Sequence, residues 1–259
     1  MKVELKDVSY AYRNSDVPVI HDVNLTLEDP GLYCIVGPNG VGKSTMIKCI
    51  NRILKPTTGS VLLDGTDVQH MKLHDLADCI GYVPVKAVDV FSMPVLDSVL
   101  LGRQKGNKWK TTDRDVEIAT RVLRMMGISD LAMRSSNQLS AGQNQKVAIC
   151  RGIVQEPEVL ILDEPTANLD VKHQVYVTEL LRALAIEEGM IVLMISHDLN
   201  IAARYAHCII LMKDGTIEKV GTPLEVITKE NVRDVYEVDC DIEYKDGRPH
   251  VVLDSVLSI

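Results

Sequence analysis

The chain has 259 residues, enough to bury the core of one large domain or of a domain with a subdomain. Hydrophobic residues make up 46% and charged residues 25%, as in ordinary soluble globular proteins. The formal net charge of −8 argues against broad electrostatic binding to nucleic acid or anionic lipid. The six cysteines are scattered without C-x-x-C spacing, and no apolar run approaches the roughly 20 residues of a spanning helix. We therefore expect the cysteines to be reduced thiols in a cytosolic protein, and we favour disulfides or a zinc site less. If the protein works at a membrane, we expect a partner to span the bilayer.

Two stretches of alternating polarity open the chain, at residues 3–12 and 19–27. Such alternation is typical of half-buried strands. In the second stretch, one set of side chains is expected to face the core: Val19, His21, Val23, Leu25 and Leu27. We predict that these strands form an antiparallel sheet beside the rest of the fold.

A phosphate-binding motif follows an apolar strand at residues 32–36. The segment matches G-x-x-x-x-G-K-[ST] and consists of Gly37, Pro38, Asn39, Gly40, Val41, Gly42, Lys43, Ser44 and Thr45. Glycines let the backbone approach a phosphate, and the following helix, predicted to use Ile53 on its apolar face, directs free N–H groups at the anion. Lys43 can reach the β- and γ-phosphates, and the Ser44 hydroxyl can ligate Mg²⁺. The alternative, a glycine-rich turn without chemical meaning, is disfavoured because the complete motif lies between a strand and a helix.

The middle of the chain changes from strands to helices. A strand at 60–63, a turn at Asp64-Gly65, a short helix at 73–77 and a strand at 80–83 precede Pro84. Residues 85–156 are predicted to be a mostly helical insertion, with helices near 95–101, 116–126 and 141–154. A polar, basic stretch follows the first of these helices, at 103–110.

Alternating strands and helices return from residue 157, which predicts a parallel sheet covered on both faces. The apolar strand at 159–162 ends in two acids, Asp163 and Glu164, where sheets of this kind bind ligands. Asp163 is expected to hold Mg²⁺ through water, and Glu164 to polarise the water that attacks the γ-phosphate. An acid pair alone does not decide between this role and a structural one. Beyond residue 220, two short helices and two strands form a small C-terminal unit.

A second candidate anion site opens the long helix at 141–154. Its sequence is Leu139-Ser140-Ala141-Gly142-Gln143. The Ser140 hydroxyl and the backbone N–H groups of Gly142 and Gln143 could bind an anion at this N-terminus. Taken alone, the pattern favours the simpler interpretation that Ser140 is a helix cap.

The order of these motifs resembles that of the nucleotide-binding subunits of ATP-binding cassette (ABC) transporters, over about residues 1–220. The resemblance implies that Ser140, Gly142 and Gln143 bind the γ-phosphate of an ATP held by the other subunit. It implies that Tyr12 stacks on adenine, although an ordinary strand aromatic stays an alternative because Tyr10 is close.

Two further segments carry roles that the resemblance implies. Residues 167–170, Ala-Asn-Leu-Asp, match the segment that crosses between subunits. His197 follows the next strand and matches the switch histidine that contacts the γ-phosphate. Within the family, three segments are most similar to ATPases of importers for iron chelates, haem and cobalamin: 80–84 with 99–103, 155–157, and 246–252.

The resemblance implies an α/β P-loop NTPase core with a mostly parallel sheet, an N-terminal antiparallel β-subdomain and an inserted α-helical subdomain. We expect a single ABC ATPase domain over 1–259, with the nucleotide-binding core and its antiparallel β-subdomain at 1–84 and 157–220. The helical subdomain is placed at 85–156 and a small C-terminal extension at 221–259.

The expected function is ATP binding and hydrolysis, with ATP and Mg²⁺ as cofactors, in a subunit that energises a membrane importer. The partners would be a second copy upon ATP binding, integral membrane permease subunits docked on residues 85–110 and a separate substrate-binding protein, with no nucleic acid. The subunit would be cytoplasmic and peripheral on the inner face of the cell membrane. The alternatives are a soluble ABC ATPase in DNA repair or translation and a weakly hydrolysing nucleotide-dependent regulator.

Three positions depart from the family pattern. Val85 stands where a glutamine usually helps to ligate Mg²⁺ and links the site to the membrane partner; Gln69 or Gln104 could take over that role. Ala141 replaces a usual glycine, and Ala167 replaces a usual serine. These departures concern the hydrolysis rate and its coupling rather than ATP binding.

Overall fold

The structure is a computed structural model that describes residues 1–13, 17–85, 92–104 and 111–257. The strands are β1 (Val3–Tyr10), β2 (Ile20–Leu27), β3 (Gly31–Val36), β4 (Thr58–Leu63), β5 (Thr66–Asp67), β6 (Ile80–Val83), β7 (Val159–Leu162), β8 (Ile191–Ile195), β9 (Cys208–Lys213), β10 (Thr216–Gly221), β11 (Val238–Lys245) and β12 (Arg248–Val256). The α-helices are α1 (Lys43–Ile50), α2 (Leu73–Cys79), α3 (Val95–Leu100), α4 (Asp113–Met125), α5 (Ala141–Ile153), α6 (Val171–Glu187), α7 (Leu199–Tyr205), α8 (Pro223–Val226) and α9 (Lys229–Tyr236). Short 3-10 turns lie at Leu101–Arg103, Ser129–Leu131 and Ser136–Gln138.

The first sheet is antiparallel, with strand order β2-β1-β4-β5, as the alternating N-terminal stretches predict. The prediction of which side chains face the core is wrong for the part of β2 before Val23. Ile20 is fully buried, whereas His21 is partly exposed. Asp22 adopts a positive φ of 50°, and the β1–β2 register shifts on both sides of Val8, so an irregularity moves the inward face by one residue.

The second sheet has the order β10-β9-β3-β8-β7-β6, and every neighbouring pair except β10–β9 is parallel. The central strands β3, β7 and β8 are buried throughout, which explains their continuous apolar sequences. Because parallel strands end at one edge, the loops after Val36, Leu162 and Ile195 open on the same side of the sheet.

Helix α1 is shorter than predicted, because it ends at Ile50 and the following Arg52 has a positive φ of 59°. Ile53 therefore leaves the helix face and is 55% exposed. The predicted insertion does consist of helices in its described part, with α3, α4 and α5 packed together.

The C-terminal unit shares the main hydrophobic cluster rather than forming a core of its own. Val235 of α9, Cys240 of β11 and Val251 of β12 are buried in the same cluster as Leu160 of β7. The division of the chain at 84/85, 156/157 and 220/221 stays a prediction. None of the six cysteines, all of which lie in the described ranges, forms a disulfide. Within the described ranges, no helix is both long and apolar enough to cross a membrane.

Candidate functional site

The loop between β3 and α1 has the backbone of a phosphate cradle. Gly37, Gly40 and Gly42 all have positive φ, at 149°, 81° and 103°. A Cβ on Gly42 would lie 2.4 Å from a methyl carbon of Ile20, whereas a Cβ on Gly40 would meet nothing within 4 Å. Gly42 is therefore required for packing and backbone conformation, and Gly40 for conformation alone.

Lys43 lies over this loop and is only 5% exposed. Its Nζ donates to the carbonyl oxygens of Gly37 and Pro38, each at 2.7 Å. Burial lowers the pKa of Lys43, while the nearby Glu164 and Asp163 carboxylates act in the opposite direction. The loop thus holds a desolvated ammonium group where an anionic ligand would neutralise it.

Ser44 and Asp163 join the loop to the end of β7. The Ser44 hydroxyl donates to Asp163 Oδ1 at 2.9 Å, and Asp163 is 2% exposed. Burial raises the pKa of Asp163, the Ser44 hydrogen bond lowers it, and the adjacent Glu164 raises it further.

This oxygen pair fits Mg²⁺ bound together with a nucleotide. Mg²⁺ usually takes one or two protein oxygens and completes its shell with water and substrate phosphates. In the described residues, no group of three or more His, Cys, Asp or Glu side chains could hold a metal alone. Ser44 and Asp163 would therefore hold the ion only with phosphate and water oxygens.

Glu164 and His197 meet across neighbouring strand ends. His197 Nε2 lies 2.7 Å from Glu164 Oε1. Glu164 has a positive φ of 52°, a strained conformation for a residue with a side chain and one that clusters at functional sites. Asp198, next to His197, caps α7 by accepting from the N–H groups of Asn200 and Ile201. The Glu164–His197 pair thus joins the loop after β7 to the loop after β8.

Tyr12 lies beside the phosphate loop. Its hydroxyl is 3.4 Å from Thr45 Oγ1, its ring meets Tyr10 edge-on at 5.0 Å between centroids, and it is 45% exposed. An exposed ring at this place is available for stacking, and its role in adenine binding stays a prediction.

The segment from Ser140 to Gln143 lies in a separate cavity of about 390 Å³, whose described lining residues include none from the phosphate loop. Ser140 caps α5 in a reciprocal capping box. Its hydroxyl accepts from the Gln143 N–H at 3.2 Å, and its own N–H donates to Gln143 Oε1 at 3.0 Å. Asn168 and Asp170 of the predicted crossing segment line the same cavity. The helix-cap interpretation is confirmed, and within one chain the two candidate anion sites lie apart.

The predicted docking surface at 85–110 is described only in part, because residues 86–91 and 105–110 lie outside the described ranges. Arg103 is not a free surface charge. Its side chain is 16% exposed and its guanidinium donates to Asp115 and Glu156 at 2.9 Å each and to the carbonyl oxygen of Val154. Arg103 therefore holds the helices together, and the docking of permease subunits on residues 85–110 stays a prediction.

Val85 and the two glutamines that could take over the missing role, Gln69 and Gln104, lie in different surroundings. Val85 is partly buried just beyond β6, Gln69 follows β5 in the antiparallel sheet, and Gln104 is exposed after a 3-10 turn. Neither glutamine is among the described residues that line the cavity of Glu164 and His197. A replacement for the missing glutamine therefore stays unassigned.

Sequence reasoning missed two groups of residues around these sites. Lys146 is 8% exposed and lines the Ser140 cavity, and its ammonium nitrogen lies 5.8 Å from the centre of the Tyr176 ring. Its position early in α5, close to Ser140 in the sequence, could have indicated that it belongs to this cavity. Tyr236 and Leu253 line the cavity of about 720 Å³ that contains Glu164 and His197. Only the tertiary packing of the C-terminal unit brings them there.

Comparisons with known proteins agree with this geometry. The sequence model of the family described as ABC transporter matches residues 20–167. The chain is 41% identical over 252 residues to an uncharacterized ABC transporter ATP-binding protein of Methanocaldococcus jannaschii, covering 97% of this chain and 98% of the relative. It is 35% identical over 229 residues to the iron(3+)-hydroxamate import ATP-binding protein FhuC of Bacillus subtilis, covering 88% and 85%. It is 36% identical over 219 residues to the cobalamin import ATP-binding protein BtuD of Halobacterium salinarum, covering 85% of this chain and 55% of that protein.

Solved structures show the same fold. An ABC transporter in an inward-facing conformation superposes with a TM-score of 0.81 at 26% identity, covering 97% of this chain and 96% of that one. A dimeric bacterial ABC transporter cassette gives a TM-score of 0.77 at 31% identity, covering 85% and 98%.

Proposed function

This chain belongs to the ATP-binding cassette family of transporter ATPases, and from that membership we propose that it energises a membrane importer for an iron chelate, haem or cobalamin. It is an ATPase. The observation that carries the assignment of its site is the meeting of three elements at one sheet edge: the Lys43 loop, the Ser44–Asp163 pair and the Glu164–His197 pair.

The phosphate loop supplies the binding half of the site. ATP bound with Mg²⁺ would supply the γ-phosphoryl group whose transfer to water drives the transporter. Lys43 would exchange its two carbonyl partners for phosphate oxygens, which the free N–H groups of α1 also bind. Ser44 and Asp163 would hold the metal ion, and Tyr12 would stack on the adenine.

Glu164 would act as the base that orients the attacking water and takes its proton. The 2.7 Å contact with His197 keeps the carboxylate in one orientation, and the strained backbone at Glu164 fixes where its side chain starts. His197 would also contact the γ-phosphate. Preorganised polar groups of this kind lower the barrier because they need little reorganisation during the reaction.

The second half of the site would come from another copy of the chain. Ser140, Gly142 and Gln143 lie in their own cavity, away from Lys43. A head-to-tail pair would bring the α5 N-terminus of one copy to the ATP bound by the other. The dimeric state of a bacterial ABC transporter cassette with the same fold supports pairing of two copies. The capped Ser140 helix then presents its N-terminal N–H groups to the γ-phosphate.

The importer assignment draws on the relatives named for import of iron(3+)-hydroxamate and cobalamin. Permease subunits would span the membrane, a separate substrate-binding protein would deliver the substrate, and this subunit would act at the cytoplasmic face. The proposed partition is a core at 1–84 and 157–220, a helical subdomain at 85–156 and a C-terminal extension at 221–259.

Glu164→Gln tests the catalytic assignment, because it keeps the shape of the side chain and removes its charge. We expect ATP binding by calorimetry to persist, phosphate release to fall by at least about a hundred-fold, and an ATP-dependent dimer to accumulate in light scattering. Glu158→Gln, at the other end of β7 and exposed, is the matched control and should behave as wild type. Lys43→Ala should lose ATP binding itself. Wild-type hydrolysis by Glu164→Gln would remove Glu164 from the catalytic role.

The transport assignment needs a separate experiment. A tagged chain extracted from membranes should co-purify with a protein that has several membrane spans. Uptake of iron chelates, haem or cobalamin should then depend on Lys43. Recovery with a soluble or nucleic-acid partner instead would contradict the importer proposal while leaving the ATPase intact.

A further inference from the structure

A small cavity lies between helix α7 and the turn of the β11–β12 hairpin, and we call it the hairpin cavity. Its volume is about 270 Å³, a size that suits a small metabolite. Three of its lining residues carry positive charge: Arg204, Lys245 and Arg248. None of its described lining residues is acidic. Because the whole chain has a net charge of −8, this local excess of positive charge favours an anionic ligand.

The chain itself neutralises only part of this charge. The Arg204 guanidinium has a carboxylate partner, since Asp246 lies 3.0 Å away. In the part of the chain that the structure describes, neither Lys245 nor Arg248 forms an ion pair. Two of the three cations are therefore available to an anion that enters the hairpin cavity.

Arg248 is held in place at the wall of the hairpin cavity. Its side chain is partly buried, and its Nη1 donates to the carbonyl oxygen of Ala206 at 3.0 Å. This bond leaves other N–H groups of the guanidinium for a ligand. Burial and the positive charges of Arg182 and Arg204 lower the pKa of Arg248. Three guanidinium groups thus lie close enough to repel one another, and an anion between them would relieve that repulsion.

The other walls of the hairpin cavity are largely apolar. They include Val175 of α6, Ile201 and Tyr205 of α7, and Pro249 of β12. The Tyr205 hydroxyl donates to Glu179 at 3.3 Å, which leaves the ring as the part of this side chain that a ligand can contact. A ligand that matches both kinds of wall has an anionic group at one end and an apolar body at the other.

We propose that the hairpin cavity binds a free organic phosphate monoester, with its phosphate at Arg248 and Lys245 and its organic part against the apolar walls. A guanidinium matches phosphate oxygens with two parallel N–H bonds, and a lysine adds a point charge. A phosphate monoester carries about two negative charges near pH 7, so it suits several cations better than a single carboxylate does.

The hairpin cavity is separate from both candidate anion sites of the ATPase. Its described lining contains no residue of the phosphate loop and none of the Ser140 segment. It does share Asn200 with the cavity of Glu164 and His197. The proposal concerns a second ligand, and it does not depend on what the transporter carries.

A bound ligand would connect α7 to β12. Asn200 of α7 already makes two bonds with Val251 of β12: its Nδ2 donates to the carbonyl oxygen at 3.1 Å, and its Oδ1 accepts from the N–H at 2.7 Å. A phosphate that bridges Arg204 of α7 and Arg248 of β12 would add a second link between the same elements. Binding should therefore reduce the local opening that exposes the Val251 N–H to solvent.

Calorimetry of the full chain with phenyl phosphate tests the proposal. The titrations use a Lys43→Ala chain, so that the phosphate loop contributes little. We expect phenyl phosphate to bind at least about ten-fold more tightly than benzoate, which has the same ring and one charge, or inorganic phosphate, which has no ring. Added salt should weaken binding by screening the charges. Equal affinity for the three compounds would overturn the assigned ligand class.

Variants of the hairpin locate the binding. Arg248→Met removes the guanidinium and should weaken phenyl phosphate binding at least about ten-fold. Lys245→Met changes an exposed residue and should also weaken binding, without disturbing the fold. Arg114→Met, exposed on α4, is the matched control and should bind as its parent does. Unchanged affinity in either hairpin variant would overturn the proposal, and Lys245→Met keeps the test decisive if Arg248→Met fails to fold.

Two further measurements separate the possible sources of the phosphate group and of the effect. Phenyl phosphate should slow hydrogen exchange of the Val251 N–H in the parent chain but not in Arg248→Met. Vesicles of phosphatidylcholine with and without phosphatidic acid test a lipid phosphate monoester. Binding to phosphatidic acid vesicles without binding of phenyl phosphate would overturn the assignment to a free ligand. ATP hydrolysis by the wild-type chain measures the proposed function separately, because it can succeed whether or not the hairpin cavity binds phenyl phosphate.

Discussion

Replacing Ser44 by alanine tests the electrostatics of the site in the absence of nucleotide. The change removes the hydroxyl that donates to Asp163 Oδ1 at 2.9 Å and leaves a carboxylate that is only 2% exposed. A hydrogen bond to a buried charged group contributes about 1.5–3 kcal/mol, against about 0.5–1.5 kcal/mol for a neutral pair. We therefore expect Ser44→Ala to lower the free energy of unfolding by about 1.5–3 kcal/mol near pH 7–8.

The sign of the pH dependence follows from the pKa of Asp163. Burial raises that pKa above its ordinary value, so the folded state binds the proton more tightly than the unfolded state. The contribution of Asp163 to stability is therefore greatest below the ordinary pKa and declines as pH rises through the raised folded pKa. The Ser44 hydrogen bond lowers the pKa of Asp163, so removing the hydroxyl raises that pKa further. The decline in stability with rising pH then extends to higher pH in Ser44→Ala. The stability gap between variant and wild type should narrow as pH falls and Asp163 becomes protonated.

Urea unfolding followed by circular dichroism, at several pH values without nucleotide, measures this gap. Thr178→Val is the control: Thr178 is fully buried and its hydroxyl donates to the neutral carbonyl oxygen of Gln174 at 2.8 Å. The loss of unfolding free energy caused by Thr178→Val should not vary with pH. The reasoning fails if Ser44→Ala costs the same as Thr178→Val at every pH, or if its cost grows as pH falls.

Three further predictions use the same structure. Gly42→Ala should cost about 1–3 kcal/mol and weaken ATP binding by calorimetry more than Gly40→Ala, because only its Cβ would lie 2.4 Å from Ile20; equal losses would contradict the packing argument. Arg103→Met should lower the free energy of unfolding by about 1.5–3 kcal/mol, against less than about 1 kcal/mol for the exposed Arg121→Met. If Arg103→Met were neutral in urea unfolding and impaired only partner binding, the assignment of Arg103 to helix packing would be wrong. Val85→Gln should raise the ATPase rate or its stimulation by a membrane partner; unchanged rate, Mg²⁺ dependence and coupling would show that position 85 lacks the assumed role.

The phosphate loop and the acids of β7 were predictable because their signals are local or follow from sheet geometry. Glycines before a Lys-Ser pair define the loop by spacing alone. Asp163, Glu164 and His197 follow apolar strands, and parallel strands end at one edge, so their meeting follows from the strand assignment. The 2.7 Å contact between Glu164 and His197 depends on backbone details such as the positive φ of Glu164. The hydrophobic periodicity of the sequence does not predict such details.

Other features depend on contacts distant in sequence. Arg103 lies in a polar, basic stretch, and its composition suggests a surface charge. Its true partners, Asp115 and Glu156, are 12 and 53 residues away along the chain. In β2, the alternation fails at Asp22 because a single irregular residue shifts the inward face. Hydrophobic pattern specifies elements, but it does not specify which charges pair between them.

The separation of the two candidate anion sites has a consequence for turnover. Under the proposed function, the Ser140 site in one cavity and the Lys43 site outside it would act on one ATP only when two copies meet. If the copies parted after each hydrolysis, every cycle would repeat a costly association. Attachment of both copies to one permease would instead keep them at high effective concentration while the ATP sites open. Because Asn200 fastens β12 to α7, immediately after the His197 loop, the C-terminal hairpin steadies the wall of the cavity that contains Glu164 and His197.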